Sequence, residues 1–168
     1  GITECSPVVA VNRNFYGKDG SVGLVGRNIE VKVVDEEILV KGKNVMLGYY
    51  GDTKSTKEVL SDGWFKTGDL GYVDKDGFLF ITGRKKNLII LSNGENILPE
   101  MIEEKLLKDK GVCEVVVDSL NNQLVAYIYP NEEYLGNITY FNNLIYRYNK
   151  SVPKNHQISK CILRTREF

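Results

Sequence analysis

The sequence predicts an α+β protein in two parts: a small β-rich subdomain over residues 1–85, then a small α+β domain over 86–168 with helices packed on an antiparallel sheet. Three observations carry this. Ile29, Val31 and Val33 alternate with Glu30 and Lys32, the two-residue period of a strand with one buried face. Ile138, Phe141, Ile145 and Tyr148 recur at helical spacing, which marks one apolar stripe. The pattern also changes after Lys86, from short strands to helices and a hairpin.

Taken in order, Phe15 to Gly23 reads as a glycine-rich loop. Ile29–Val34 and Glu37–Val40 form a hairpin across Asp35-Glu36. The Gly42–Tyr50 loop ends in Tyr49 and Tyr50, both expected in the core. Ser55 to Leu60 is a short helix, with Thr53 or Ser55 available to cap it. Trp64 to Gly94 then sets a Thr67-Gly68-Asp69 turn, a hairpin turning at Asp76-Gly77, a Gly83-Arg84-Lys85-Lys86 corner and an Asn93-Gly94 loop in quick succession. Thr67-Gly68-Asp69 is expected where a strand begins and Gly83-Arg84 where one ends. If those points face each other, a carboxylate and a guanidinium share one small space, a pair suited to a vicinal diol.

Past Lys86, Leu88 to Leu91 reads as a strand. Pro99 opens a helix with the stripe Leu98, Met101, Ile102 and Leu106, running out to Gly111. Cys113–Asp118 and Gln123–Tyr129 pair across Leu120-Asn121-Asn122. The helix through Phe141 runs up to Pro153, and Lys160–Leu163 is a last strand. His156, with no nucleophile at useful spacing, is expected at the surface.

Composition narrows the partners. Among 168 residues, Lys plus Arg equals Asp plus Glu at 22 each, so no net field favours nucleic acid or an anionic membrane. No apolar run approaches the roughly 20 residues of a membrane helix, and no signal peptide opens the chain. Cys5, Cys113 and Cys161 are scattered without metal-ligand spacing and read as thiols of a reducing, cytoplasmic compartment.

The Trp64–Gly94 stretch resembles two signature motifs of the adenylate-forming superfamily of acyl-CoA synthetases, peptide-synthetase adenylation domains and luciferases. The resemblance implies that Asp69 and Arg84 bind the ribose of ATP, with Ile81 also placed at the nucleotide. It makes Lys86 the hinge about which a small C-terminal domain rotates between half-reactions. Gly1-Ile2-Thr3-Glu4 resembles the family's YGxTE motif without its tyrosine, so Thr3 inherits contact with the adenylate phosphate and Glu4 the magnesium ion. Ser92 to Glu104 resembles the SGGENIxPxEIE segment, whose loop, here carrying Gly94, lines the pantetheine tunnel. Asn93 and Met101 depart from that pattern. The β-rich subdomain is then barrel-like and ends a larger N-terminal domain.

The family's catalytic lysine lies in a motif resembling PKTxxGKxxR. Pro153-Lys154 and Lys160 with Arg164 match it only loosely, because no glycine precedes the lysine and Lys160–Leu163 reads as a strand. SVPKNHQISKCILRTREF instead resembles the stretch just before that motif. The resemblance therefore implies a piece cut at both ends from a cytoplasmic acyl-CoA synthetase, most like long-chain fatty acid CoA ligases. Its partners are a carboxylic acid, ATP or AMP, Mg2+, coenzyme A and the missing N-terminal domain of the same chain. Without the lysine and the upstream phosphate loop the piece itself is expected to be inactive. An acyl-carrier-protein ligase or peptide-synthetase adenylation domain is the alternative within the class. A non-catalytic nucleotide- or carrier-binding module is the alternative outside it.

Overall fold

The computed structural model describes residues 1–168, which form two compact units, Gly1–Lys86 and Asn87–Phe168. The first unit is built on an antiparallel sheet of β1 (Ala10–Val11), β2 (Gly23–Val25), β3 (Ile29–Val34), β4 (Glu37–Gly42), β5 (Leu60–Ser61), β6 (Trp64–Val73) and β7 (Phe78–Arg84). Its order is β1-β2-β7-β6-β4-β3, with β5 paired to β6. Asp35 and Glu36 both take left-handed backbone angles, φ 49° and 64°, which is the two-residue turn that matches strand twist and sets Val34 opposite Glu37. The β6–β7 hairpin closes on Asp74, whose Oδ1 accepts from the amides of Asp76 and Phe78, both at 2.9 Å.

Helix α1 (Thr53–Val59) is capped one residue earlier than the sequence reading placed it. The Asp52 carboxylate accepts from the Ser55 amide at 2.9 Å, so Ser55 is the donor partner of the cap rather than the cap. Tyr49 and Tyr50 also depart from expectation, being 38% and 107% exposed. They follow β4 on the loop between Gly42 and α1, and the Tyr49 hydroxyl is turned to Glu4 rather than into the core. The core gathers Cys5, Val9, Ile38, Val40, Phe65 and Leu79.

The second unit opens with a two-stranded ribbon, β8 (Ile89–Ile90) and β9 (Asn96–Ile97), followed by α2 (Pro99–Leu107). That helix stops short of Gly111. The Asp109 carboxylate accepts from the Gly111 amide at 3.0 Å, and the Tyr140 ring lies where a Cβ at Gly111 would sit, 2.5 Å away. Strands β10 (Val112–Leu120) and β11 (Gln123–Pro130) pair through Asn121 and Asn122, φ 51° and 62°. Helix α3 (Ile138–Lys150) then carries the chain across to β12 (Ile158–Leu163).

Because α3 is a crossover connection, β12 joins β11 in parallel. The three-stranded sheet is therefore mixed where an antiparallel one was expected, within the predicted α+β class. Of the two helical stripes, Ile102, Leu106, Phe141, Ile145 and Tyr148 are buried, while Met101 and Ile138 are 51% and 45% exposed at the margins. His156 is half-buried rather than on the surface. No helix is long and apolar enough to cross a membrane.

Candidate functional site

Thr67-Gly68-Asp69 lies inside β6, not at its start, because Trp64 and Phe65 already pair with β5 and Phe65 with β4. Pairing between β4 and β6 jumps from Leu39–Lys66 to Glu37–Leu70. Four residues on one strand thus span two on the other, and the surplus bulges out at this motif. Gly68 supplies the left-handed angle the bulge needs, φ 71°. The Thr67 hydroxyl donates to the Ile38 carbonyl at 2.7 Å and accepts from the Asp69 amide at 3.0 Å. A second shift, between Leu70–Gly83 and Gly71–Ile81, leaves Thr82 surplus on β7.

The second shift brings Asp69 directly opposite Arg84. Arg84 Nε donates to Asp69 Oδ1 at 2.6 Å, with the aspartate side chain 17% exposed and the arginine 45%. A pair this open to water adds at most about 1 kcal/mol to folding. Its value is chemical, since acceptor and donor stand side by side as a diol requires.

Thr3 and Glu4 lie on a short 3-10 turn, Thr3–Cys5. The fully buried Cys5 anchors it, as does the Met46 amide, which donates to the Glu4 carbonyl at 2.7 Å. The Tyr49 hydroxyl donates to Glu4 Oε1 at 3.0 Å. Burial first, and then the Glu4 carboxylate, holds that phenol above the ordinary tyrosine range. Thr3, Glu4, Gly68, Arg84 and Lys86 line an open cleft of about 850 Å³. Asp69 and Ile81 line a small apolar pocket of about 30 Å³ that shares Gly1, Ile2 and Thr67 with the cleft. One carboxylate on an open cleft suits magnesium, which takes one or two carboxylates and completes its shell with phosphate oxygens and water. No cluster of three or more His, Cys, Asp or Glu forms a self-sufficient metal site.

Sequence reasoning did not find Glu37, Tyr49 or Lys85 as members of this cleft. Glu37 is buried, accepts from the Gly68 amide at 3.1 Å and from Lys85 Nζ at 2.7 Å, and that carboxylate is the chief cause of the raised Lys85 pKa. The one local signal was an acid heading the apolar run Ile38-Leu39-Val40. Gly94 belongs to the second unit. Its loop is held by Asn122, whose Oδ1 accepts from the Ser92 amide at 2.6 Å and whose Nδ2 donates to Ser92 Oγ. Gly94 has φ 81° and open space where a Cβ would be.

No family model matches the chain. It is 42% identical over 127 residues to a long-chain-fatty-acid–CoA ligase of Salmonella typhimurium, an alignment covering 68% of this chain and 22% of that protein. It is 42% identical over 142 residues to a 2-succinylbenzoate–CoA ligase of Listeria monocytogenes, covering 80% of this chain and 30% of that protein. The chain belongs to the AMP-binding, adenylate-forming family of acyl-CoA ligases. The o-succinylbenzoate CoA synthetase of Bacillus subtilis, solved with its acyl-adenylate intermediate, superposes on 99% of this ligase chain with a TM-score of 0.86 and 28% identity. That alignment covers 37% of the synthetase. The ligase chain spans 20% to 30% of the length of the curated relatives it matches.

Proposed function

We propose that this chain is the C-terminal portion of an ATP-dependent acid–CoA ligase whose acid is a long-chain fatty acid. The carboxylate oxygen attacks the α-phosphorus of ATP and pyrophosphate leaves. The thiol sulfur of coenzyme A then attacks the acyl carbonyl and AMP leaves. The observation that carries this reading is the Asp69–Arg84 pair, set face to face by the β6–β7 register shift at the margin of the cleft. Asp69 accepts from the ribose hydroxyls and Arg84 donates to them, which fixes the nucleotide for in-line attack. Glu4 would hold magnesium, which supplies positive charge against the transferring phosphate when bound; Thr3 donates to that phosphate, and the Tyr49 hydroxyl orients Glu4.

Lys86 closes the first unit, and a swivel there would bring the Gly94 loop to the acyl-adenylate for the thiol step. The fatty-acid assignment is supported by the 42% identity to the Salmonella ligase. A 2-succinylbenzoate and an indoleacetate CoA ligase are also relatives, so a panel of acids decides it. Cytoplasmic residence fits three cysteines that form no disulfide.

The test uses the full-length ligase. ATP–pyrophosphate exchange should be driven best by long-chain acids, and Asp69→Ala should raise KM for ATP by about ten- to a hundredfold, the worth of hydrogen bonds to a charged group. An unchanged KM would remove Asp69 from the nucleotide site. The 168-residue chain alone should support no exchange and should bind AMP more weakly than about micromolar in calorimetry.

A further inference from the structure

Glu37 is the one charged residue the protein buries, at 7% exposure. Its neighbours in the strand and the core, Ile38 and Val40, are apolar and buried to 3% and 1%. An apolar side chain at 37 would serve that core at least as well, since buried ion pairs can often be replaced by packed hydrophobes without loss of stability. What an apolar side chain could not do is make the two contacts Glu37 makes. Oε1 accepts from the Gly68 amide at 3.1 Å, and Oε2 accepts from Lys85 Nζ at 2.7 Å.

Those contacts fall on the residue before Asp69 and the residue after Arg84. Packing does little to hold either place. Nothing lies within 4 Å of where a Gly68 Cβ would be, and the Lys85 side chain is 56% exposed. Hydrogen bonds must therefore hold both places: the Thr67 hydroxyl is one anchor of the bulge, and Glu37 reaches both Gly68 and Lys85 from β4.

We propose that Glu37 is a positioning residue for nucleotide binding: its two carboxylate oxygens tie the backbone before Asp69 and the side chain after Arg84 to β4, and so set the gap into which the ribose diol fits. This rests on the reading that Asp69 and Arg84 take the ribose. Glu37 touches no substrate and acts through those two.

The experiment compares ATP with 2′,3′-dideoxy-ATP, which lacks the diol, in pyrophosphate exchange by the full-length ligase. Wild type, Glu37→Leu, Lys85→Met and Asp69→Ala are measured, with thermal midpoints taken alongside. Wild type should prefer ATP, and Asp69→Ala sets the floor of that preference. Lys85→Met should lower the ratio of kcat/KM values severalfold. Glu37→Leu, which releases both sides, should lower it about tenfold, the equivalent of one charged hydrogen bond. Activity with dideoxy-ATP should fall by less than activity with ATP in either.

A merely structural Glu37 would lower both nucleotides together and leave the ratio intact. An unchanged ratio in folded Glu37→Leu and Lys85→Met overturns the proposal. If Glu37→Leu does not fold, Lys85→Met decides alone, because its side chain is mostly in water. A wild type indifferent to the diol would instead overturn the ribose reading itself, and this inference with it.

Discussion

The two units have nearly equal lengths, Gly1–Lys86 and Asn87–Phe168, yet they bury apolar side chains very differently. In the second, fifteen buried residues from both helices and all five strands make one continuous core. In the first, six make the main cluster, α1 buries nothing, and Phe15, Leu47 and Tyr50 stand fully in solvent. Backbone irregularity does not follow that difference, since the helix-covered sheet also carries two register shifts, at Val112/Glu114 and at Leu124/Val125. What differs is what the irregularities carry: in the first unit they lie at the polar Asp69–Arg84 pair.

The sharpest way to break this comparison is to unfold the chain. Trp64, the single tryptophan, lies in the first unit, so its fluorescence reports that unit while far-ultraviolet dichroism reports both. Two transitions are expected. Phe141→Ala should lower the stability of the second unit by about 3–5 kcal/mol and leave the fluorescence midpoint in place, and Phe65→Ala should do the reverse. A single transition, coincident by both probes and shifted by either substitution, would mean that the units share one cooperative core.

A smaller effect sharpens the same contrast. The Asn137 side chain accepts from the Tyr140 amide at 3.1 Å and caps α3. Asn137→Ala should cost about 1 kcal/mol, read in the dichroism transition alone. Smaller still is a difference of reactivity. Burial pushes both the Cys5 and the Cys161 thiols up to about 11, whereas Cys113 is exposed. At neutral pH one thiol per chain should react quickly with a disulfide reagent. The other two should follow only as pH rises toward about 11, since the thiolate is the reactive form. Three equal rates at neutral pH would contradict the burial of Cys5 and Cys161.

Much of the fold was legible because its turns announce themselves. Asp35-Glu36, Asp76-Gly77 and Asn121-Asn122 each mark a hairpin by local chemistry, and Pro99 marks the start of α2. Less legible was whatever depends on the partner strand. Asp69 and Arg84 could be named from their motifs, but that they pair across a ladder follows from a register shift no local pattern encodes. Glu37 and Lys85 are 48 residues apart and Tyr49 and Glu4 are 45 apart, so their meetings are products of sheet order. The misplaced tyrosines have the same root: Tyr49 and Tyr50 look like core residues to any local rule, and Tyr49 is drawn out by Glu4, 45 residues away in sequence. The parallel entry of β12 was likewise invisible, because it depends on α3 carrying the chain across to the far side of β11.

The surplus in β6 has an engineering corollary. Excising two residues from Thr67-Gly68-Asp69 would leave Phe65 facing Val40 and Leu70 facing Glu37, the partners they have now, with the ladder zipped between them. Such a shortened chain ought to be the sturdier molecule and, if Asp69 and Arg84 take the ribose as proposed, the blinder one, deaf to nucleotide because the sheet had been mended.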